Sequence, residues 1–166
     1  MKPKFALNLS HEGIVLLHLS SGGKWTIVGE VALDDPNLSE NLSFLRSTGV
    51  ALEGKGFGSK LIIPESQILF TKVTAPGPDD AARREQIAAA LVGQTPYDVK
   101  DLAFDWHGEG DEVAVAVVAR ETLDEAEEFA VDHRFNPLSF VAQTTLDGAP
   151  WEPFFGRSDY SYAFLD

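Results

Sequence analysis

The segment from Lys60 to Asp105 constrains the fold more than any other part of the chain. Lys60 to Pro64 is a short apolar run stopped by proline. Ile68, Phe70 and Lys72 then alternate with Leu69, Thr71 and Val73 in the two-residue period of a half-buried strand. A helix is expected to begin near Pro78, because proline suits a first helical turn and Asp79 and Asp80 complement the positive helix end. Each aspartate has an arginine four residues on, Arg83 and Arg84, which places two opposite-charge pairs on the helix surface. Gly93 is read as the stop, Thr95-Pro96-Tyr97 as a tight turn, and Leu102 to Trp106 as the next strand.

The chain before this segment reads as a three-stranded meander. Phe5, Leu7 and Leu9 alternate with Ala6 and Asn8, Ile14 to Leu19 is apolar on both faces apart from His18, and Trp25 to Leu33 alternates again. Asp35-Pro36 then caps a helix whose inner face is Leu38, Leu42 and Leu45, with Gly49 as the expected end. Gly54 to Ser59 is glycine-rich but leads into a strand, with no Lys-Ser or Lys-Thr pair opening a helix, so it reads as a plain loop rather than a phosphate cradle.

After Asp105, the strands Leu102 to Trp106 and Glu112 to Ala119 form a hairpin, the second with Val and Ala on both faces and therefore buried. Thr122 with Glu125 is a capping box for a helix with Leu123, Ala126 and Ala130 inside. Its outer face, Asp124, Glu125, Glu127, Glu128 and Asp132, reads as solvated or as a landing surface for a basic partner. Leu138 to Ala142 is the last expected strand. Six of the 17 aromatic residues fall in the final 16 positions with no periodicity. Two readings of that tail stand: it packs back over the body, or it docks on a partner or on the rest of a longer chain.

Bulk properties exclude several functions. A net charge of −13 over 166 residues repels phosphate backbones and anionic lipid, and no basic patch offsets it. With no cysteine, disulfides, thiolate metal sites and thiol nucleophiles are closed. Lys2 and Lys4 precede no continuous apolar stretch before Asn8 and Ser10, so no leader or spanning helix is read there and the cytoplasm is the expected compartment. The four histidines, His11, His18, His107 and His133, lack ligand spacing. There is no Gly-x-Ser-x-Gly, and Glu30 and Asp105 are carboxylates on strands that nothing ties together.

The order β-β-β-α-β, then β-α-β-β-α, then a closing strand resembles the N-terminal half of the actin-like assembly proteins: the pilus protein PilM, the cytoplasmic part of the type II secretion L protein, and the division protein FtsA. The residues that carry it are Leu61 to Pro64 before Gln67 to Val73, Ala75-Pro76 ahead of a helix, Thr95-Pro96-Tyr97 before Asp101 to Trp106, and Val113 to Glu121 running into a helix. Arg134-Phe135-Asn136-Pro137 closes the set, where those families have a Gly-x-x-Pro-like turn. A closer similarity to the leading domains of long alphaproteobacterial proteins implies an N-terminal fragment.

The resemblance implies an α/β fold: an incomplete actin-like, ribonuclease-H-like core of mixed sheet from residues 1–66 and 136–145, an inserted βαββα subdomain at 67–135, and an aromatic tail at 146–166. Actin-like ATPases carry Asp-x-Gly in the first hairpin, and here Asn8-Leu9-Ser10 stands in its place with Gly13 beyond. An amide does not supply the negative charge a hard cation wants, and no cofactor is expected. By analogy with those families, the implied role is a non-catalytic scaffold or adaptor. Its surface is expected around Arg83, Arg84, Gln86, Pro96 and Tyr97 and the edge strand from Gln67 to Lys72, with Trp151, Phe154 and Phe155 in the tail. The expected partner is a protein, the remainder of a longer chain, or a second copy as a homodimer, with no nucleic acid and no membrane insertion. Two other readings remain open: a nucleotide-binding half-domain completed by downstream sequence, and a degenerate ribonuclease-H-like metal enzyme.

Overall fold

A computed structural model describes residues 3–53, 57–142 and 151–165. The loop expected at 54–56 and the core-to-tail boundary at 145/146 lie outside the described residues, as do the side chains of residues 164 and 165. The chain opens with β1 (Phe5–Leu9), β2 (Gly13–Leu19) and β3 (Trp25–Ala32), antiparallel neighbours as the alternation requires. Helix α1 (Leu38–Glu53) returns the chain so that β4 (Ser59–Ile63) pairs parallel to β1. Then come β5 (Ile68–Thr74), α2 (Asp80–Leu91), β6 (Leu102–His107), β7 (Glu112–Ala119), α3 (Arg120–Asp132) and β8 (Pro137–Ala142), which pairs parallel to β4. The tail adds β9 (Phe154–Arg157), antiparallel to β8, and α4 (Asp159–Leu165).

Among the described residues these strands form a mixed six-stranded sheet, in the order β3-β2-β1-β4-β8-β9, and an antiparallel three-stranded sheet, in the order β5-β7-β6. The fold is therefore α/β with a mixed sheet and a second, smaller sheet. Phe5, Leu7, Leu16, Leu61 and Ile63 project from one face of the large sheet against Leu42 and Leu45 of α1 and Leu123 and Ala130 of α3. The alternation in β7 is shared between two cores. Val113, Val115 and Val117 meet Ile87 and Leu91 of α2, while Ala116 and Val118 join the main core with Ala103 of β6.

Several local expectations change. Helix α1 does not stop at Gly49; it runs four residues further, to Glu53. Gly49 is there for closeness: a Cβ on it would lie 2.9 Å from a Phe57 ring carbon, 3.0 Å from Leu16 Cδ2 and 3.3 Å from Phe5 Cε1. Gly49→Ala is accordingly expected to destabilise the protein by about 1–3 kcal/mol through overpacking, although alanine is the better helix former by about 1 kcal/mol. A urea titration reads the sign; a gain in stability would show that the ring edges give way.

Helix α3 starts at Arg120, not at a Thr122 cap, because β7 runs directly into it with Ala119 as an N-cap that makes no side-chain bond. Helix α2 does have its aspartate cap: the Asp79 side chain accepts from the Ala82 N–H at 2.8 Å. The arginines of α2, however, do not pair with their aspartates. Arg83 donates to the Ala75 and Gly110 carbonyls, and the Arg84 guanidinium lies over the Phe104 and Trp106 rings at 5.0 and 5.1 Å. The turn before β8 places Arg134 and Asn136 at φ 62° and 51°, the left-handed region where a glycine would be expected. Asn136 is held there by donating to the Phe57 carbonyl at 2.8 Å and accepting from the Tyr160 hydroxyl at 2.8 Å.

Candidate protein-interaction surface

The first hairpin is where phosphate chemistry would have to sit, and its polar groups are already engaged with one another. Ser10 Oγ donates to the Gly13 carbonyl at 2.9 Å and accepts from the Gly13 N–H at 3.2 Å, so the amide that would approach an anion is occupied. Gly13 owes its lack of a side chain to packing: a Cβ would lie 2.6 Å from the Val31 carbonyl oxygen on β3. The hollow at the mouth of the hairpin, about 200 Å³, is walled by Leu9, Ile14, Leu33, Pro64 and Phe129, with Ser10 and His11 at its rim. Asn8 Oδ1 is buried and has no hydrogen-bond partner. Among the described residues no three His, Asp or Glu side chains gather into a cation-binding cluster.

The edge strand is different. Among the described residues β5 pairs only with β7, so its outer N–H and C=O groups face away from the sheet. Leu69 is 37% exposed and Phe70 48% exposed, on opposite faces of this edge. At the end of the small sheet where β5 begins, an open groove of about 320 Å³ crosses β5, β7 and β6, bringing Gln67 and Leu69 together with Val117 and Val118, Leu102, and Pro96 and Tyr97 of the turn after α2. Tyr97 is 40% exposed, so its ring lines the groove rather than the core. Thr95 shapes that turn by accepting from the Tyr97 N–H at 3.1 Å. No charged side chain lines the groove, notable in a chain of net charge −13.

The other expected surface residues are placed elsewhere. Lys72 lies further along β5, opposite Ala114. Gln86 is a brace, accepting from the Gly77 N–H at 3.1 Å and donating to the Gly77 carbonyl at 2.9 Å. Arg83 clamps main-chain carbonyls, and Arg84 lies on the far side of the small sheet, over β6. Leu69 and Phe70 lie within the edge strand that the sequence reading nominated, Gln67 to Lys72, although neither was singled out. The signal was present: three consecutive apolar residues, Ile68 to Phe70, in a strand with only one neighbour must leave some of that surface open.

The tail packs on its own body. Phe155 is 7% exposed and belongs to the main core, whereas Phe154 is 48% exposed. The Trp151 ring stacks on His107 at 5.7 Å, and Glu152 accepts from Lys60 Nζ at 2.9 Å. Both oxygens of Glu127 on α3 receive the first main-chain N–H groups of α4, from Asp159 and Tyr160. Burial pushes the Tyr160 phenol above its ordinary value, so the hydroxyl stays neutral through the physiological range.

No protein-family model and no curated protein matches the chain. Among solved structures it is similar to the cytoplasmic domain of EpsL, an inner membrane component of the type II secretion system of Vibrio cholerae. That match has a TM-score of 0.60 at 18% identity over 82% of this chain and 55% of that one. It is also similar to a chain of the PilM-PilN type IV pilus biogenesis complex, with a TM-score of 0.61 at 10% identity over 82% of this chain and 46% of that one. The likeness is one of fold, that of actin-like secretion and pilus assembly proteins, and the chain spans about half the length of the chains it matches. No described helix is long and apolar enough to cross a membrane.

Proposed function

We propose that this chain is a non-catalytic interaction domain of a cytoplasmic assembly apparatus, the leading part of a longer actin-like protein, which receives an extended segment of a partner protein along β5. The observation that carries this reading is the open β5 edge, where Leu69 and Phe70 are exposed on opposite faces, together with the uncharged groove that Leu69 and Tyr97 line. An edge strand offers main-chain hydrogen bonds to an added strand, and a half-exposed tyrosine in a groove is a typical anchor. The two similar structures are supportive: one is part of a secretion system and the other is a complex with a second pilus protein. The occupied amide and apolar mouth of the first hairpin favour this over nucleotide binding. A thermal-shift titration with ATP and magnesium tests that choice: stabilisation by several degrees would favour a nucleotide-binding half-domain.

The groove itself is tested by crosslinked capture from native lysate followed by mass spectrometry. Tyr97→Ala is expected to weaken capture of the partner by roughly 30-fold or more, the scale of an interface anchor worth about 2 kcal/mol. Phe44→Ala serves as the control, since Phe44 is a large exposed apolar residue on α1, away from β5. A partner lost with Phe44→Ala and retained with Tyr97→Ala would move the interface off the small sheet.

A further inference from the structure

The opposite edge of the small sheet carries a second feature. Among the described residues β6 pairs only with β7 and β9 only with β8, so two sheet edges lie side by side with no ladder joining them. Between them is a pocket of about 220 Å³, walled by Leu102, Ala103 and Phe104 on one side and by Phe154, Phe155 and Gly156 on the other. Arg84 and Arg120 complete its lining. The Arg84 guanidinium rests on the Phe104 and Trp106 rings, and Arg120 donates only through Nε, to the Lys100 carbonyl at 3.2 Å. The ion pairs among the described residues are His18 with Glu53 and Lys60 with Glu152, so neither arginine is in an ion pair with a described carboxylate. The carboxylate nearest the slot, Asp105, is engaged by the Phe154 and Trp106 N–H groups, so two guanidiniums without an ion-pair partner there call for an anion from outside.

We infer that this slot binds the C-terminal carboxylate of a partner polypeptide, with the last side chain, an apolar one, between Phe104 and Phe154. Three features select a chain end over an internal acidic residue. Just past Phe104 the Phe154 N–H donates to Asp105 Oδ2 at 2.8 Å while Asp105 Oδ1 accepts the Trp106 N–H, a bridge from β9 to β6 that stands in the way of a chain lying further along β6. Its volume is below the roughly 300–1,000 Å³ of pockets for drug-sized ligands and suits one residue. The unpaired β6 edge offers main-chain groups to that residue, while a guanidinium fork matches a carboxylate with two parallel hydrogen bonds. The net negative charge does not prevent this, because at physiological salt fields are screened beyond about 8 Å and the two nearest charges decide.

This inference is independent of the β5 groove, and different variants test the two. The experiment is an amide-resolved NMR titration of the protein with N-acetyl-leucine, its C-terminal amide, and N-acetylglutamate α-amide, whose carboxylate is on the side chain. Saturating shifts at Ala103, Phe104 and Gly156, which line this slot and not the groove at β5, are expected with N-acetyl-leucine, and affinity about tenfold or more weaker for the other two probes. Arg84→Gln should weaken N-acetyl-leucine binding by about tenfold, while Leu69→Lys on β5 leaves it unchanged. The same spectra report whether each variant is folded, and the comparison of probes on the unaltered protein stands without any variant. Equal affinity for acid and amide, tighter binding of the glutamate probe, or no saturating shift at β6 would each overturn the assignment.

Discussion

Phe155→Ala is expected to lower the unfolding free energy by about 3–5 kcal/mol, while Phe154→Ala, one residue away, stays within about 0.5 kcal/mol. The difference follows from where β9 puts the two rings. A register shift against β8 sets Phe140 opposite Gly156 and Val141 opposite Phe154, so Phe155 falls at the irregularity and its ring enters the main core, while Phe154 remains half exposed. Truncating Phe155 removes apolar burial and leaves a cavity beside residues that cannot collapse into it, since α3 and β8 meet the same core. For a domain of this size each kcal/mol moves the melting midpoint by about 2–4 °C, so the drop is roughly 6–20 °C. Calorimetry on the two variants reads it directly. If Phe155→Ala melted with the parent protein and instead lost a binding partner, the tail would be a docking peptide and its place in the core would be wrong.

The tail also marks the limit of what sequence pattern shows. The meander, the β4 run stopped by Pro64, the β6–β7 hairpin and the α/β class were legible because each rests on a period of two or on a proline or glycine whose backbone effect is local. β9 was not. Its four residues, Phe154–Arg157, include a glycine at φ 118° and no alternation, and the pairing that makes them a strand comes from β8, some 15 residues earlier. The same distinction explains Gly49 and Arg84. Glycine was read as a helix stop from local propensity, whereas a ring 2.9 Å from its missing Cβ is a tertiary fact. The Asp80-to-Arg84 spacing made an ion pair plausible, but two rings of β6 offered the guanidinium a better place.

The candidate surface was legible in outline and not in detail. Gln67, Pro96 and Tyr97 were selected from separate places in the chain and meet in one groove together with Val117 and Val118 of β7 and Leu102 of β6. Gln86 and Arg83 were selected for the same surface, but their side chains were needed for main-chain groups at Ala75, Gly77 and Gly110. Charge and polarity in a sequence do not distinguish a side chain that braces a loop from one that meets a partner. Burial and hydrogen bonding do.

Restoring a carboxylate at the head of the meander, by Asn8→Asp, is expected to destabilise the protein at pH 7 by about 1.4–3 kcal/mol and not to create a nucleotide site. The change is isosteric, so packing is preserved and charge is the variable. Asn8 stands opposite Val15 on β2 and Ile62 on β4, its Oδ1 is buried without a donor, and the nearby Ser10 hydroxyl is committed to Gly13. A carboxylate there has one oxygen buried with nothing to pair with, which raises its pKa above the unfolded value near 3.9 by roughly one to two units. Since folding disfavours the charged form, the penalty is fully present above the raised pKa, shrinks as pH falls through it, and is gone below the unfolded value. Urea midpoints of the variant and the parent protein at pH 7, 5.5 and 4 should therefore converge as pH falls. Magnesium with ATP should leave both midpoints where they are, because the hairpin amide is already occupied and Leu9, Ile14, Leu33, Pro64 and Phe129 offer a triphosphate no donors. A variant that is more stable than its parent at pH 7, or that magnesium-ATP stabilises by several degrees, would show that one missing charge was all that separated this hairpin from a nucleotide site.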